Sequence, residues 1–330
     1  MQAASYRILY FGTYDRRHPR NANAIAAMRT AGVEVVERHQ QLDRGGLRGL
    51  ANVMGAELRQ LGTGHVDADA VVVGYPGHFD VPQARRVARK RPLVFDAVLS
   101  LEHELVSVRR HFRPRSAAAG VLRVADARAF RLPDLVVCGT EVEARHLREL
   151  GAERTAVVLL GADEDVFCET WAPAYPFSAL HPEDASSDIV RSAAELTSVP
   201  VRVAGRGEID ADQAGIVFAH AGIVLGSFHE SRGIAAPVFA ALATAAPVVT
   251  ADTEAARELL VDGESALLVP PDDPRALAEA VDELAADEEL RRRIAAGGRR
   301  AFDERASRAV RGRAWRSLLG ELIDERAGPS

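Results

Sequence analysis

Short apolar runs alternate with amphipathic stretches along the first half of the chain. Runs rich in Val, Ile, Leu and Phe are typical of buried strands, and the stretches between them place apolar residues at helical spacing. Strands that are apolar throughout, with helices between them, indicate a parallel sheet covered on both faces. The predicted strands lie at 7–12, 33–37, 70–75, 92–98 and 134–138, and the predicted helices at 19–31, 46–61 and 81–90.

The segment 101–131 is long for a crossover between strands and is predicted to hold a helical insertion. It contains the basic stretch RRHFRPR at 109–115, which is expected to be exposed. Residues 155–175 end a strand and then lose regularity, with Pro173 and Pro176 close by. Such a change of pattern predicts a linker between two domains.

A second alternating pattern follows the linker, and from Pro274 to about residue 326 the pattern is helical. The predicted strands lie at 200–204, 222–227, 247–251 and 266–269, and the predicted helices at 211–220, 235–245 and 254–261. The sequence therefore predicts an α/β protein with two doubly wound domains, 1–165 and 166–310. A C-terminal helix over 311–330 follows, and packing back on the first domain is one option for it. Two such domains bind ligands where the carboxyl ends of their strands face each other.

Composition and charge narrow the function only slightly. A chain of 330 residues is long enough for two domains with separate cores. The net charge of −6 gives no indication of a nucleic-acid partner. Two cysteines, Cys138 and Cys168, are too few for a disulfide framework, which favours a reduced, cytoplasmic setting. No apolar run approaches the roughly 18 residues that span a bilayer, whereas a peripheral membrane contact through an amphipathic helix stays open.

The turn after the predicted strand 222–227 has the features of an anion site. The sequence FHESRG at 228–233 leads into an apolar helix near Ala235. The first N–H groups of a helix have no partner within it, and the helix dipole favours an anion there. Gly233 lets the backbone approach a bound group closely. The pattern is consistent with a bound phosphate or diphosphate, and also with an ordinary turn between a strand and a helix.

Longer motifs surround this turn, namely PVVTADTEAARELL at 247–260 and DGESALLVPPDDPRALAEAV at 262–281. In the first half, ILYFGTYDRRHPRN at 8–21 and GADEDVF at 161–167 belong to the same pattern. With these motifs the chain resembles family 4 retaining glycosyltransferases of the GT-B fold. The resemblance implies two facing, doubly wound Rossmann-like domains. It also implies transfer of a sugar from a nucleotide-diphosphate donor to an unidentified acceptor, without a metal and with retention.

The resemblance also exposes a departure from the family at the donor site. An acid that accepts hydrogen bonds from the donor ribose in that family aligns with Ala240, and its earlier partner acid aligns with Arg232. An alanine methyl accepts no hydrogen bond, so about 1–3 kcal/mol of ribose recognition is missing. Two alternatives therefore stand beside the transferase. One is a binding or accessory protein that keeps the shell without turnover, and the other is a transferase whose donor is a lipid-phosphate sugar, which has no ribose.

The leaving diphosphate is the group that such a reaction must stabilise most. Lys90 is the single lysine, so arginine would have to hold the phosphates, which it can do bidentately. The family's usual phosphate loop corresponds to 175–190, which carries His181 together with acids that repel a diphosphate, namely Glu183, Asp184 and Asp188. Arg232 is the predicted catalytic residue of this domain. The predicted donor-binding and phosphate-binding residues are Arg206, Ser231, Gly233, Ile234 and Glu258.

Polar residues also follow the predicted strands of the first domain, where carboxyl ends converge on one crevice. Gly12 and Thr13 lie at the end of the first predicted strand or just after it. Asp96 and Ser100 lie likewise near the end of the strand at 92–98, which makes all four the predicted acceptor-side residues. His78 is the second predicted catalytic residue, as a contact to an acceptor hydroxyl or as a proton relay, and a structural role is its alternative. Neither a metal site nor a cofactor is predicted, and the nucleotide-diphosphate sugar is a substrate.

Overall fold

A computed structural model describes residues 6–40, 66–108 and 111–327, apart from 169, 175, 183, 185 and 206. The chain divides into two compact units: unit 1 consists of residues 1–158 and 311–330, and unit 2 of residues 159–310. The helix predicted over 46–61 lies outside the described residues. None of the helices in the described part of the chain is long and apolar enough to cross a membrane.

Unit 1 contains a parallel six-stranded sheet. Its strands are β1 (Arg7–Thr13), β2 (Glu34–Gln40), β3 (Ala70–Val73), β4 (Leu93–Asp96), β5 (Leu135–Cys138) and β6 (Thr155–Val157). They lie in the order β2-β1-β3-β4-β5-β6. The first helices of the chain are α1 (Pro19–Thr30), α2 (Val81–Ala88), α3 (Ala117–Arg131) and α4 (Glu141–Glu149), and a π-helical segment spans His103–Val108.

Unit 2 contains a parallel five-stranded sheet. Its strands are β7 (Ala179–Pro182), β8 (Val201–Ala204), β9 (Ile223–Leu225), β10 (Val248–Ala251) and β11 (Leu267–Val269), in the order β11-β10-β9-β7-β8. The helices that follow are α5 (Ser187–Ala194), α6 (Ala214–His220), α7 (Ala236–Ala243), α8 (Glu254–Arg257), α9 (Pro274–Ala286), α10 (Glu288–Arg305) and α11 (Arg308–Ala327). Both sheets have the same doubly wound topology, with a switch point between β1 and β3 in one and between β7 and β9 in the other.

Each sheet is covered on both faces because its strands are apolar on both faces. In β1, Tyr10 contributes to one core and Phe11 to the other, since successive strand residues point to opposite faces. Trp315 and Leu319 of α11 complete the core that contains Tyr10. In unit 2 the sheet separates two further cores in the same way.

The interior strand β7 is an addition to the sequence-based prediction, in which the strands of the second domain start at 200–204. Its sequence, ALHP, contains no continuous apolar run, yet His181 is fully buried. The imidazole Nδ1 lies 3.2 Å from the carbonyl oxygen of Leu225, and Nε2 lies 3.2 Å from Ser187 Oγ. These hydrogen bonds offset the cost of burying a polar ring and place β7 beside β9.

Candidate functional site

A pocket of unit 2 lies where β9 and β10 end. Its empty space is about 260 Å³, including part that is open to solvent. Small side chains and hydroxyls dominate its wall. The lining residues are Ser227, His229, Ser231, Gly233, Ile234, Ala235, Thr250, Ala251, Thr253 and Ala256. The carboxyl ends of neighbouring parallel strands are where ligands of doubly wound sheets bind.

The start of α7 contributes backbone N–H groups to this pocket. Ala235 is the N-cap residue, with extended backbone angles (φ −67°, ψ 144°), and no side chain caps the helix. Among the described residues, no acceptor takes the N–H of Ile234 or Ala235. The N–H of Gly233 is already engaged, because it donates to Ser231 Oγ at 3.2 Å. Two open amides and the positive end of the α7 dipole therefore favour an anion at this point.

The hydroxyls at the end of β10 are held in place by the backbone around them. Thr250 Oγ1 donates to the carbonyl oxygen of Ser227 at 3.1 Å. Thr253 caps α8, since its Oγ1 accepts the N–H of Ala256 at 3.0 Å. A side chain at Gly226 would place its Cβ 2.6 Å from Thr250 Oγ1, so the strand end has room only for glycine. The floor of the pocket is consequently fixed and built of small groups.

Two hydrogen-bonded pairs, each of a basic and an acidic side chain, flank the pocket. His229, which lines it, places Nδ1 2.5 Å from Asp272 Oδ1. Asp252 binds Arg257 through both carboxylate oxygens, at 2.5 and 2.7 Å, and this hydrogen bonding lowers the pKa of Asp252. His229 is thus the one imidazole among the lining residues of the pocket, and its Nδ1 is held by Asp272.

The structure brings only some of the predicted donor residues into the pocket. Ser231, Gly233 and Ile234 line it. Arg232 is exposed beside it and is not among its lining residues. Glu258 is half-buried at the end of α8, and its carbonyl oxygen accepts a hydrogen bond from Arg305. Arg206 lies outside the described residues. Roles for all of these residues in donor binding stay predictions.

Two of the three predicted acids of the loop after β7, Asp184 and Asp188, lie within the described residues, and both have hydrogen-bond partners. Asp184 accepts hydrogen bonds from the N–H of Ser186 at 2.7 Å and from its Oγ at 2.6 Å. Burial would raise the pKa of Asp184, but hydrogen bonds from His181 and Ser186 outweigh it and lower that pKa. Asp188 is exposed and pairs with Arg191 at 3.0 Å. Asp184 is therefore occupied in shaping the start of α5 and stays ionised, and the repulsion of a diphosphate by this loop stays a prediction.

Position 240 presents no polar atom to the pocket. Ala240 lies in the second turn of α7, is 3% exposed and packs into a core of unit 2. Its carbonyl oxygen accepts a hydrogen bond from Thr244 Oγ1 at 3.1 Å. A ribose in the pocket would therefore find no carboxylate from this residue.

In unit 1, the residues after β1 are bonded to the protein itself. Asp80 accepts hydrogen bonds from the N–H of Thr13 at 2.7 Å and from its Oγ1 at 3.0 Å. Burial raises the pKa of Asp80 to about 6, against the lowering effect of the two Thr13 hydrogen bonds. Gly12 has φ of +132°, and a Cβ there would lie 3.0 Å from Asp80 Oδ2. Gly12 is thus required for the close approach of this carboxylate.

Asp96 at the end of β4 forms a buried ion pair with Arg20 of α1. Arg20 Nε donates to Asp96 Oδ1 at 2.7 Å, and Nη2 lies 2.6 Å from the same oxygen. Arg20 Nη1 donates to the carbonyl oxygen of Val158 at 2.7 Å. Burial raises the pKa of Asp96, while Arg20 and Tyr10 lower it. Asp96 is fully buried, so its carboxylate serves this pair.

His78 and Ser100 meet at a second buried acid, Asp126 of α3. Ser100 Oγ donates to Asp126 Oδ2 at 2.6 Å, and His78 Nε2 lies 3.6 Å from Asp126 Oδ1. The ring nitrogens of His78 also lie 2.6 Å from the carbonyl oxygen of Pro76 and 3.0 Å from that of Leu99. Burial lowers the pKa of His78, whereas Asp126 and these carbonyls raise it. These contacts favour a positioning role for His78, and a catalytic role stays a prediction.

Four polar residues of the pocket were missed by the sequence reasoning. Ser227 and His229 follow β9, and Thr250 and Thr253 lie at the end of β10 and just after it. The rule that ligands bind at the carboxyl ends of strands, applied here to every polar residue, would have found all of them. Within the described ranges, no group of three His, Cys, Asp or Glu residues is placed to hold a metal ion, and metal independence stays a prediction.

Comparison with solved structures places this architecture among known folds. Sucrose-phosphate synthase from Thermosynechococcus elongatus is similar with a TM-score of 0.71 and 14% identity, over 97% of this chain and 99% of that one. HepE from Anabaena, in complex with UDP-glucose, gives a TM-score of 0.70 and 18% identity, over 96% and 100%. A glycosyltransferase from Rickettsia africae gives 0.64 and 12%, over 98% and 100%. At these identities the likeness shows the fold.

The chain has the GT-B glycosyltransferase fold, built from two parallel-sheet Rossmann-like units. Residues 183–317, which include the pocket, match the family described as "Glycosyl transferase-like". A search of the curated proteins finds no significant match. The predicted α/β class, GT-B fold and resemblance to GT-B glycosyltransferases are confirmed. Membership of family 4 and retention of configuration stay predictions.

Proposed function

We propose that the protein is a glycosyltransferase that takes a nucleotide-diphosphate sugar as donor and binds the diphosphate at the start of α7. The observation that carries the proposal is the pair of open amides, Ile234 and Ala235, in a pocket walled by small residues and hydroxyls. The family match over 183–317 supports it. The similarity to HepE, whose structure contains UDP-glucose, supports the choice of donor class.

Transfer of the sugar requires that the leaving diphosphate be stabilised. The bond between the anomeric carbon and the diphosphate oxygen breaks, and the nucleoside diphosphate leaves with the electron pair. The oxygen of an acceptor hydroxyl forms the new bond, and its proton passes to the leaving diphosphate. Negative charge grows on the diphosphate as the bond breaks, and amides that are already oriented stabilise it without reorganising. His229, which lines the pocket, is proposed as a further contact of the donor. Retention, metal independence and a contribution from Arg232 belong to the proposal.

One observation favours a second candidate. Because Ala240 is buried and offers no oxygen, the pocket holds a phosphate more readily than a ribose. A lipid-phosphate sugar donor, or a binding role without turnover, would need no ribose contact. The two candidates differ in whether the nucleoside part of a ligand adds affinity beyond that of its diphosphate.

Ligand-induced stabilisation of the folded protein tests the proposal. The wild-type chain is heated with UDP, GDP and ADP, with their sugars, and with inorganic pyrophosphate. We expect at least one nucleotide sugar to raise the melting temperature more than pyrophosphate does, since a ligand that binds only the folded state stabilises it. Equal shifts for pyrophosphate and all nucleotides would favour the lipid-phosphate donor, and no shift at all would contradict the site.

Substitution of the N-cap residue separates loss of the site from loss of the fold. Ala235→Asp supplies a capping oxygen and a negative charge, so we expect it to stabilise α7 by about 0.5–2 kcal/mol and to abolish nucleotide-sugar binding. Ala235→Asn, the matched control, caps the helix without the charge and should weaken binding less. Unchanged binding in the Ala235→Asp variant would show that the ligand does not use these amides.

A further inference from the structure

Helix α3 and the turn before it expose a basic and apolar surface, which we call the α3 face. It consists of Arg113, Arg115, Val121, Arg123, Val124 and Arg128. The two valines are among the most exposed large apolar residues of the described chain, at 54% and 57%. The opposite side of the helix is packed, since Ala119 and Leu122 belong to a buried cluster. Within the described residues of unit 1, the α3 face is therefore an outer surface whose two valines are exposed.

The arginines of the α3 face are mostly unneutralised. Among the described residues, Arg113, Arg115 and Arg128 have no acidic partner, and Arg123 reaches Glu102 at 3.3 Å. The acid of the helix itself, Asp126, is 3% exposed and is turned towards Ser100 and His78. Positive charge on this surface is thus not cancelled by its own helix.

Some arginines of the C-terminal helices are neutralised by an acid on the same helix. On α10, Arg292 pairs with Glu288 at 2.5 Å and Arg299 with Asp303 at 2.9 Å. The whole chain carries a net charge of −6. Within the described residues, Arg113, Arg115 and Arg128 are thus arginines without an acidic partner on a chain that is acidic overall, and they complement an anionic partner.

The arrangement along the helix suits an extended flat partner. Residues 121 and 124 are three apart and share one side of the helix, and Arg128 is four residues further along that side. Arg113 and Arg115 precede the N-cap, Ser116, so basic groups flank the valines at both ends. With 15 residues, α3 is about 22 Å long, at roughly 1.5 Å per residue.

We propose that the α3 face binds an anionic lipid surface, independently of the donor pocket. Basic side chains near an anionic bilayer add affinity, and apolar side chains between them enter the boundary of headgroups and acyl chains. An anionic bilayer therefore binds both the arginines and the valines of the α3 face. A nucleic acid would pair with the arginines but would leave Val121 and Val124 in contact with water.

Vesicle co-sedimentation of the full chain tests the proposal. We expect binding to phosphatidylglycerol-containing vesicles, little binding to pure phosphatidylcholine, and release by salt. The triple variant Arg113→Gln, Arg115→Gln, Arg128→Gln should lose about tenfold or more in affinity for the anionic vesicles. The variant Val121→Ser, Val124→Ser should lose less and should keep its salt dependence.

A matched control removes the same charge elsewhere. Arg275, Arg300 and Arg313 are exposed and lie on other helices, so their replacement by Gln changes the net charge equally. This control should bind vesicles like the wild-type chain, and circular dichroism should show that all variants are folded. The proposal would be overturned if both triple variants lost the same affinity for anionic vesicles, or if the wild-type chain did not bind these vesicles. It would also be overturned if the wild-type chain bound pure phosphatidylcholine vesicles as tightly as anionic ones. The proposal would also be overturned if the valine variant bound vesicles like the wild-type chain and the α3 face bound single-stranded DNA tightly.

Discussion

The strand ends of the two units differ in what their polar groups bind. After β1 and β4 of unit 1, Thr13 is bonded to Asp80, and Asp96 to Arg20, all of them buried. After β9 and β10 of unit 2, hydroxyls and the amides of Ile234 and Ala235 line an open pocket. Polar groups that bind one another specify a rigid structure, whereas polar groups without a protein partner can form hydrogen bonds with a ligand. The difference favours unit 2 as the place of the proposed anion site.

The largest expected effect comes from breaking the ion pair of unit 1. Arg20→Leu leaves the fully buried Asp96 carboxylate without its counter-charge, so we expect a loss of about 3–5 kcal/mol in the free energy of unfolding. Urea denaturation of the variant measures it. The additional change Asp96→Asn should recover part of the loss because it removes the buried charge.

The exposed neighbour Arg17 provides the control for that experiment. Arg17→Leu should change the free energy of unfolding by less than about 0.5 kcal/mol. A similar small change for Arg20→Leu would mean that the pair does not support unit 1, and the contrast between the units would fail.

The next effect depends on pH and concerns Asp80. Its pKa in the folded protein, about 6, lies above the ordinary 3.8, so the folded state binds this proton more tightly than the unfolded state. Stability from this group is therefore complete below about pH 4 and is lost as the pH rises through about 6, by roughly 3 kcal/mol in total. Asp80→Asn removes the titration. The difference between wild-type and variant unfolding free energies, measured from pH 4 to 7, should follow this curve, and a flat difference would contradict it.

The smallest expected effect lies in the pocket of unit 2. His229→Ala removes one hydrogen-bond donor from a partly exposed wall, so we expect donor affinity to fall about threefold to tenfold with stability unchanged. Titration calorimetry with the best nucleotide sugar of the thermal screen measures the fall. His220→Ala, on α6, removes an imidazole that does not line the pocket and serves as the control. Equal effects of the two changes would exclude a specific contact by His229.

Periodicity was enough to predict most of the fold. The apolar runs in β1, β3, β4, β9 and β10 are continuous because both faces of each strand are buried. The strand β7 was not predicted because His181 interrupts its apolar pattern. The buried imidazole is tolerated because it forms hydrogen bonds with Leu225, which is distant in the sequence, and with Ser187 of the next helix. Tertiary contacts of this kind leave no local signal.

The candidate site was predictable only in part. The glycine and the helix start at 233–235 are visible in the sequence, and the structure places both in the pocket. The partners of His78, Asp96 and Ser100 were not visible, because Asp126, Arg20 and the carbonyl of Leu99 reach them through the fold. Proximity to a strand end predicts where a side chain lies, and its hydrogen-bond partners decide whether a ligand can use it.

Backbone amide chemical shifts during a titration with a nucleotide-diphosphate sugar test the central claim most directly. If the diphosphate binds at the start of α7, the amide signals of Ile234 and Ala235 should move most, and those of Thr13 and Leu99 in unit 1 should stay where they are. Saturable shifts at Thr13 or Leu99, with Ile234 and Ala235 unmoved, would contradict the account.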